Sequence, residues 1–267
     1  MKLQIQRHNA SPYLIIAISN KRSLRDKINE QNLTLQSAKW SWLTEIKAVL
    51  FDLYWTLAHI EKSITDEEIS DYLFSKGYEV SPQQLRASWL FVSFVDYPKY
   101  GYGNWRPYLR RILWRLKIKI DEETLETIAT RYENNPYKLQ WDAADAVKKA
   151  KQNGFKTAIV TTIARFQFQQ AIKPIEGCFD FIMTGYEAGC DKTNPRMYRK
   201  VLEILNVKPE EAVMIGDDVK VDVLLPKRLG IHAILLDREK ESKKCPQADY
   251  IVNDLNQAVD TIIARFS

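Results

Sequence analysis

The 267-residue sequence has few of the residues that build thiolate, disulfide or histidine sites. It contains three cysteines and three histidines, and no two cysteines form a Cys-x-x-Cys pair. An odd and scattered set of cysteines argues against a disulfide framework and a zinc site, and it predicts a reducing compartment, the cytoplasm. The histidines are too scattered for a histidine metal site or a Ser-His-Asp triad, so we interpret them as structural.

Long hydrophobic runs are also absent. The longest apolar stretch near the start, residues 14–18, is far shorter than the roughly 20 residues that a membrane-spanning helix needs. We therefore expect neither a signal peptide nor a membrane span. The 39 basic and 34 acidic residues are interspersed and leave a net charge of +5. This balance is typical of an ordinary solvated surface and does not indicate nucleic-acid binding.

Buried strands are predicted at five apolar runs. They are KAVLF (47–51), KTAIV (156–160), FDFIM (179–183), EAVMI (211–215) and HAILL (232–236). Helical patterns lie between the later runs, including one that Asn194 opens with Pro195 at its first position. The alternation predicts an α/β fold, a doubly wound parallel sheet with helices on both faces. A short strand, DYIVN (249–253), and a helix over 255–265 are predicted to end the chain.

One interruption breaks this alternation, between the first and the second strand. Residues 62–139 carry four helical patterns with capping residues near their starts, which predict an inserted helical bundle. The insert is rich in aromatic residues, most of which we expect to pack its own core. Its glycine-broken centre, DYPKYGYGNW (96–105), is predicted to be a loop that faces a ligand. Residues 1–45 fit neither part, and we interpret them as an N-terminal extension of unknown role.

Polar residues follow the predicted strands at the points where each strand ends. They are Asp52 after the first strand, Thr161 and Thr162 after the second, Lys192 before the helix opened by Asn194, and Asp217, Asp218 and Asp222 after the fourth. The carboxyl ends of parallel strands meet at one edge of a sheet, so this edge is the predicted ligand site. Converging carboxylates repel one another without a counter-charge, and Mg²⁺ with oxygen ligands is the cation predicted to supply it.

Four motifs, in this order, resemble those of the haloacid dehalogenase (HAD) superfamily of hydrolases over about residues 47–265. They are AVLFDLYWTL (48–57), AIVTT (158–162), DKTNPRMY (191–198) and MIGDDVKVD (214–222). Each motif alone is a weak signal, whereas four in order at strand ends or loops are specific. The resemblance implies a Rossmann-like catalytic core, residues 46–61 and 140–267, and a helical cap, residues 62–139, which closes over the site.

The resemblance also implies a role for each of these positions. The implied catalytic residues are Asp52, the nucleophile, with Thr161 and Lys192. The implied phosphate- or substrate-binding residues are Thr161, Thr162, Lys192 and Tyr54. The implied Mg²⁺ ligands are Asp52, Asp217 and the backbone carbonyl of Tyr54. The implied supporting residues are Thr56, Asp218 and Asp222.

Tyr54 departs from the family's phosphatases, which have an aspartate there that protonates the leaving alcohol and then activates water. Trp55 stands where the family often has a small residue. Loss of a general acid typically costs about 10²- to 10⁴-fold in rate. A phosphatase with Tyr54 would therefore be slow unless its leaving group is acidic, the substrate donates a proton, or another residue replaces the aspartate.

Three functions fit these residues. We favour a Mg²⁺-dependent phosphomonoesterase that acts through an aspartyl-phosphate, because three of the four motifs serve phosphoryl chemistry. A 2-haloacid dehalogenase would explain Tyr54, since halide leaves without a proton and the resemblance gives that branch an Asp-x-Tyr first motif. That branch works without metal, however, and Asp217 and Asp218 would repel its carboxylate substrate. The third is a binding or regulatory protein with little turnover.

The partner predicted for this chain is a small anionic molecule, either a phosphate ester or a 2-haloacid. Neither nucleic acid nor a membrane is expected as a partner. The sequence leaves the oligomeric state open.

Overall fold

The computed structural model describes residues 45–240 and 244–266, so the predicted extension lies outside the described residues up to position 44. The described residues contain eight strands: β1 (Ala48–Phe51), β2 (Ala58–His59), β3 (Lys138–Leu139), β4 (Lys156–Val160), β5 (Phe181–Met183), β6 (Ala212–Gly216), β7 (His232–Leu236) and β8 (Tyr250–Val252). Six of them form one parallel sheet with the order β5-β4-β1-β6-β7-β8. Each of the five predicted strands is confirmed, with bounds that move by at most two residues.

Helices connect these strands. They are α1 (Asp66–Ser75), α2 (Pro82–Phe91), α3 (Tyr97–Tyr100), α4 (Trp105–Arg115), α5 (Glu122–Glu133), α6 (Ala143–Gln152), α7 (Arg165–Ile172), α8 (Gly185–Ala188), α9 (Pro195–Leu205), α10 (Leu225–Arg228) and α11 (Leu255–Phe266). Two π-helical turns, Val92–Asp96 and Val219–Leu224, and two 3₁₀ turns, Lys173–Cys178 and Pro209–Glu211, complete the described part. As predicted, α9 begins at Pro195, and the side chain of Asn194 accepts a hydrogen bond from the Arg196 N–H.

The central sheet is covered on both faces, which confirms the doubly wound α/β fold. Successive side chains of a strand point to opposite faces. Val49 and Phe51 of β1 belong to a core that includes residues of α6 and α11, whereas Ala48 and Leu50 belong to a core that includes residues of α9. The polar residues that follow the strands are therefore presented at the edge of the sheet, between these two helical layers.

Helices α1 to α5 follow β2 and precede β3 along the chain, and they form a third hydrophobic core. Thr65 and Ser81 each close a reciprocal capping box at the start of α1 and α2, and Pro82 occupies the first turn of α2. The core of these helices contains Leu73, Tyr108 and other buried residues. Strands β2 and β3 pair antiparallel, a feature not predicted from the sequence, and they hold together the two chain segments that flank the insert. The cap boundaries stay a prediction.

The loop predicted over residues 96–105 is only partly present. Tyr97–Tyr100 form the short helix α3, which continues directly from the π-helical turn Val92–Asp96, so the loop prediction is wrong there. Pro98 lies in the first turn of α3 and, having no backbone N–H, donates no helical hydrogen bond there. Gly101, at φ +62°, ends this helix in a backbone conformation that favours glycine.

Two absences expected from the sequence can be compared with the described residues. None of the described helices is both long and apolar enough to cross a membrane. Cys178, Cys190 and Cys245 are free cysteines in the structure. The cytoplasmic location stays a prediction.

Candidate active site

Two of the predicted site residues form a buried ion pair at the ends of the strands. Asp52 follows β1 directly and is 8% exposed, and Lys192 is 6% exposed. The Asp52 N–H donates to the Ile215 carbonyl (2.9 Å), which ties the end of β1 to β6. The Lys192 ammonium contacts Asp52 Oδ1 and lies 2.6 Å from Asp222 Oδ1. One lysine therefore bridges the first and the fourth motif.

The charges of this cluster shift the pKa values of its members. Burial alone would lower the pKa of Lys192, but the adjacent carboxylates of Asp222 and Asp52 outweigh it and raise this pKa above its usual value. Lys192 is therefore a permanent cation near neutral pH. Burial raises the pKa of Asp222, and the ammonium of Lys192 opposes that shift.

Asp222 packs closely against the backbone at the end of β6. A Cβ atom on Gly216 would lie 2.3 Å from Asp222 Oδ2, so only glycine permits this approach. The same oxygen accepts a hydrogen bond from the Asp218 N–H (3.1 Å). Packing thus explains the glycine of the fourth motif, because a side chain on Gly216 would displace Asp222 from its contact with Lys192.

Three carboxylates meet at this position. Asp52, Asp217 and Asp222 each place an oxygen within 4.8 Å of the others. Lys192 is the cation that contacts this cluster, and the three carboxyl groups place several oxygen donors close together. Carboxylate oxygens are the ligands that Mg²⁺ prefers, so this donor set fits the ion. We call Asp52, Lys192, Asp217 and Asp222 the charged edge.

A hydrogen bond connects the second motif (158–162) with the third (191–198). Thr161 is buried, its N–H donates to the Met183 carbonyl (2.9 Å), and its hydroxyl accepts from the Ile163 N–H (3.2 Å). The Thr162 hydroxyl accepts from the Lys192 N–H (3.0 Å). Because β4 is the sheet neighbour of β1, both threonines lie at the same edge as Asp52.

Asp218 has a different contact from the other acids. Its side chain is exposed, and Oδ1 accepts hydrogen bonds from the N–H groups of Lys220 (2.7 Å) and Val221 (3.1 Å). It therefore caps the helical turn that carries Asp222. Its implied support of a metal or of the lysine stays a prediction.

The segment that follows Asp52 turns sharply, and the side chain of Arg238 contacts its backbone. Trp55 has φ +59°, and its N–H donates to the Ala58 carbonyl (2.8 Å). Arg238 donates to the carbonyls of Trp55 (3.0 Å) and Thr56 (2.7 Å). The Thr56 hydroxyl is buried and has no hydrogen-bond partner among the described residues, and its supporting role stays a prediction.

Asp142 holds Arg238 in position. Its carboxylate, 0% exposed, accepts two hydrogen bonds from the guanidinium (2.9 and 3.0 Å) and a third from the Leu255 N–H (2.8 Å). The sequence analysis missed both residues as parts of the site. Arg238 lies two residues beyond β7, so inspection of that strand end would have found it.

A cavity of about 340 Å³ is lined by Tyr54, two residues from Asp52, and by Thr162, which contacts Lys192. One side consists of Tyr54 and the loop 162–164, and the other side comes mainly from the helical insert. We call this the aromatic cavity, because its aromatic lining residues are Tyr54, Trp89, Phe94, Tyr97, Trp105, Tyr108, Tyr132 and Tyr137.

The cavity only partly matches the expectation for residues 96–105. Tyr97 lines it and shares a hydrogen bond with the Thr184 hydroxyl (2.8 Å). Tyr100 is exposed, and Tyr102 packs against Tyr108 (5.4 Å between ring centroids), so neither lines the cavity. The aromatic content of the insert was the available signal for this cavity, but it does not tell a core ring from a cavity ring.

Comparison with known proteins identifies the family. The family model of haloacid dehalogenase-like hydrolases matches residues 46–230, more than half of the chain. The chain belongs to the haloacid dehalogenase-like hydrolases. The predicted family and the predicted hydrolase class are thereby confirmed.

This HAD-like hydrolase is similar to proteins named as phosphatases. It is 26% identical to the glyceraldehyde 3-phosphate phosphatase of Pyrococcus furiosus, over 60% of this chain and 71% of the relative. It is 28% identical to the pyrophosphatase PpaX of Bacillus mycoides, over 84% of this chain and 99% of the relative.

A dehalogenase shares the fold as well. The crystal structure of L-2-haloacid dehalogenase from Xanthobacter autotrophicus, with chloropropionic acid covalently bound, matches 82% of this chain and 98% of its own. The TM-score is 0.54 and the sequence identity is 21%. At this identity the match establishes the shared fold and leaves the reaction to the residues of the site.

Proposed function

We propose that this HAD-like hydrolase is a Mg²⁺-dependent phosphomonoesterase that uses Asp52 as its nucleophile. The observation that carries the proposal is the charged edge, where Lys192 bridges Asp52 and Asp222 beside Asp217. A fixed cation and an acidic cluster suit a dianionic substrate that arrives with a divalent ion. The phosphatase names of the sequence relatives support the same reaction class.

In the first step the Asp52 carboxylate attacks phosphorus. An oxygen–phosphorus bond forms to Asp52, the bond to the ester oxygen breaks, and the leaving group departs with that electron pair. Water then attacks phosphorus, takes the phosphoryl group as inorganic phosphate and restores the carboxylate. Lys192 and the hydroxyl of Thr161, with Thr162 beside them, would hold the transferring oxygens.

The residues that would hold Mg²⁺ are Asp52, Asp217 and the backbone carbonyl of Tyr54. When bound, the ion supplies positive charge that lets an anionic carboxylate approach an anionic phosphate. Asp222 serves a different purpose in this proposal, because its contact with Lys192 fixes the ammonium beside Asp52.

Tyr54 limits the substrates of this enzyme. A phenol is a weak acid and a poor base near neutral pH, so it replaces the missing carboxylate badly. The leaving group must then depart without strong general acid catalysis, and water must attack without strong general base catalysis. We infer that the enzyme favours esters of acidic alcohols and that breakdown of the aspartyl-phosphate is slow.

A 2-haloacid dehalogenase is the second candidate, and Tyr54 is the observation that favours it. Asp52 would displace halide from carbon, and water would then cleave the resulting ester. The acidic cluster opposes this function, because a substrate carboxylate would meet the charge of Asp217. Such a pair costs about 4 kcal/mol at 4 Å and an effective dielectric constant of 20.

Release of phosphate and of chloride separates the two candidates. The purified protein is incubated with phenyl phosphate and Mg²⁺, and separately with 2-chloropropionate, and both released ions are measured. We expect phosphate release that Asp52→Asn abolishes, since an amide is nearly isosteric but a far poorer nucleophile. Chloride release without phosphate release, or full activity in Asp52→Asn, would contradict the proposal.

A further inference from the structure

We propose that the aromatic cavity binds the leaving group and that the substrate is an aryl phosphate, the phosphomonoester of a planar aromatic alcohol. This inference rests on the proposed function and specifies its substrate class. Two independent observations carry it: the lining of the cavity and the absence of a carboxylate at position 54.

Two lining residues, Tyr54 and Thr162, connect the cavity with the charged edge. Thr162 lines the cavity and accepts the N–H of Lys192, whose ammonium contacts Asp52. Tyr54, two residues beyond Asp52, lines it as well. Tyr137, another lining residue, packs edge-on against Tyr54, with 5.9 Å between the ring centroids. A phosphoryl group on the charged edge would therefore direct its ester oxygen toward the cavity.

The cavity offers ring faces. Trp89, Trp105, Tyr132 and Tyr137 are half-buried, so part of each ring is accessible from the cavity. The ring centroids of Trp89 and Tyr132 lie 5.3 Å apart, with 32° between the ring planes. Trp105 stacks on Tyr132, with 4.6 Å between their ring centroids. These rings pack on one another, and the ring surface that they leave toward the cavity can pack against a further aromatic ring in an offset or edge-to-face arrangement.

Three hydroxyl groups of the lining, those of Ser93, Tyr97 and Tyr108, are already engaged within the protein. The Ser93 hydroxyl donates to the Trp89 carbonyl (2.9 Å) and pairs with the Tyr108 hydroxyl (2.5 Å). The Tyr97 hydroxyl shares a hydrogen bond with Thr184 and accepts the Arg165 N–H. These three hydroxyls have less capacity left to bind a sugar or polyol, whose loss of hydration is costly.

Charged groups in the lining are also few. Among the lining residues that the structure describes, Asp66 and Arg86 are the charged ones, and they face each other at 4.0 Å. The Arg86 side chain is 61% exposed, so this pair belongs to the rim. A second phosphate or a carboxylate on the leaving group would find no buried cation in this lining, which favours an uncharged aromatic leaving group.

The reaction chemistry selects the same class. Tyr54 supplies no carboxylic acid to protonate the departing oxygen. Attack by Asp52 breaks the phosphorus–oxygen bond, and a phenolate leaves with the electron pair and takes its proton from water. A phenolate is a far better leaving group than an ordinary alkoxide, because a phenol has a pKa near 10. The cavity and the reaction therefore favour the same substrate.

Two esters separate ring recognition from leaving-group acidity. Phenyl phosphate carries an aromatic ring, and hexafluoroisopropyl phosphate carries a non-aromatic alcohol of similar acidity. We expect kcat/KM with Mg²⁺ to be about three- to tenfold higher for phenyl phosphate, the range of one aromatic contact. 2-Naphthyl phosphate should show a larger preference, because its ring system covers more of the cavity wall.

Trp89→Leu should lower kcat/KM for phenyl phosphate about three- to tenfold and change it less than twofold for the fluorinated ester. Trp141→Leu is the matched control, since Trp141 is 75% exposed and does not line the cavity. Melting temperatures of both variants check that the fold is intact. Tyr132→Leu provides a second cavity variant if Trp89→Leu does not fold.

The outcomes distinguish this inference from the proposed function. An aromatic preference that falls in Trp89→Leu and stays in Trp141→Leu supports the inference. Phosphate release from both esters at equal kcat/KM, or a preference unchanged in the cavity variants, overturns the inference alone. No phosphate release from any ester overturns the proposed function, and the inference with it.

Discussion

The charged edge and the aromatic cavity lie side by side and hold their side chains in different ways. At the charged edge Asp52, Lys192 and Asp222 are almost fully buried, and they bind one another. In the cavity Trp89 and Tyr132 come from helices of the insert and keep part of their ring surface accessible. The side chains of the edge are therefore buried and paired with one another, whereas the rings of the cavity leave surface that we propose to contact the leaving group.

The largest loss of stability should come from replacing Arg238, which contacts the backbone of Trp55 and Thr56, just beyond Asp52 and Tyr54. Arg238→Met leaves the buried Asp142 carboxylate without its guanidinium partner. We expect the free energy of unfolding to fall by about 3–5 kcal/mol, the usual loss when one partner of a buried ion pair is removed. Equilibrium unfolding in urea measures it.

Arg86→Met is the matched control at the rim of the cavity. Its guanidinium is 61% exposed and 4.0 Å from Asp66, so the loss should stay below about 1 kcal/mol. Equal losses of unfolding free energy in the two arginine variants would contradict the difference between the buried ion pair of Arg238 and the exposed ion pair of Arg86.

Tyr54→Asp should change the rate where the two regions meet. The new carboxylate can protonate the leaving group, so turnover of an alkyl phosphate should rise by up to about 10²-fold. Phenyl phosphate should gain much less, because its phenolate leaves without that proton. Steady-state kinetics with both esters measures the difference. No gain on the alkyl ester, with Asp52 still essential for another reaction, would shift the account toward dehalogenation.

Mg²⁺ should stabilise the protein through the charged edge. At ten times its dissociation constant the ion adds about 1.4 kcal/mol to the free energy of unfolding by mass action. Asp217→Asn should lose most of this gain, and Asp66→Asn, a carboxylate at the rim of the cavity, should keep it. Melting temperatures with and without Mg²⁺ test this prediction. A shift of the same size in wild type and Asp217→Asn would place the ion elsewhere.

The smallest effect is expected at Tyr100, which was predicted from the sequence to face a ligand. Tyr100 is exposed and does not line the cavity. Tyr100→Ala should therefore change kcat/KM for phenyl phosphate less than about twofold, as for most surface substitutions. A larger loss would show that α3 contributes to substrate selection in another way.

The two regions also differ in how far the sequence predicts them. Asp52 and Thr161 follow apolar runs, and the edge of a parallel sheet gathers whatever follows its strands. That rule placed the charged edge without knowledge of any contact. The order of the strands and the packing of Asp222 against Gly216 agree with it.

The cavity follows no such local rule. Trp89 and Leu85 lie on the same helix, and Leu85 is buried in the core while Trp89 lines the cavity. Helical periodicity marks both as apolar but does not tell which helix packs against which face. The contact of Arg238 with Asp142 joins residues 96 positions apart, and no spacing in the sequence predicts it.

The central claim is that Asp52 becomes phosphorylated, and a rapid acid quench tests it most directly. The wild-type protein is mixed with phenyl phosphate and Mg²⁺, quenched within one turnover and digested for mass spectrometry. Because Tyr54 activates water poorly, the aspartyl-phosphate should accumulate. We expect one phosphoryl group on the peptide that contains Asp52 and none in Asp52→Asn. Phosphate release without that adduct, or an adduct on another residue, would contradict the account.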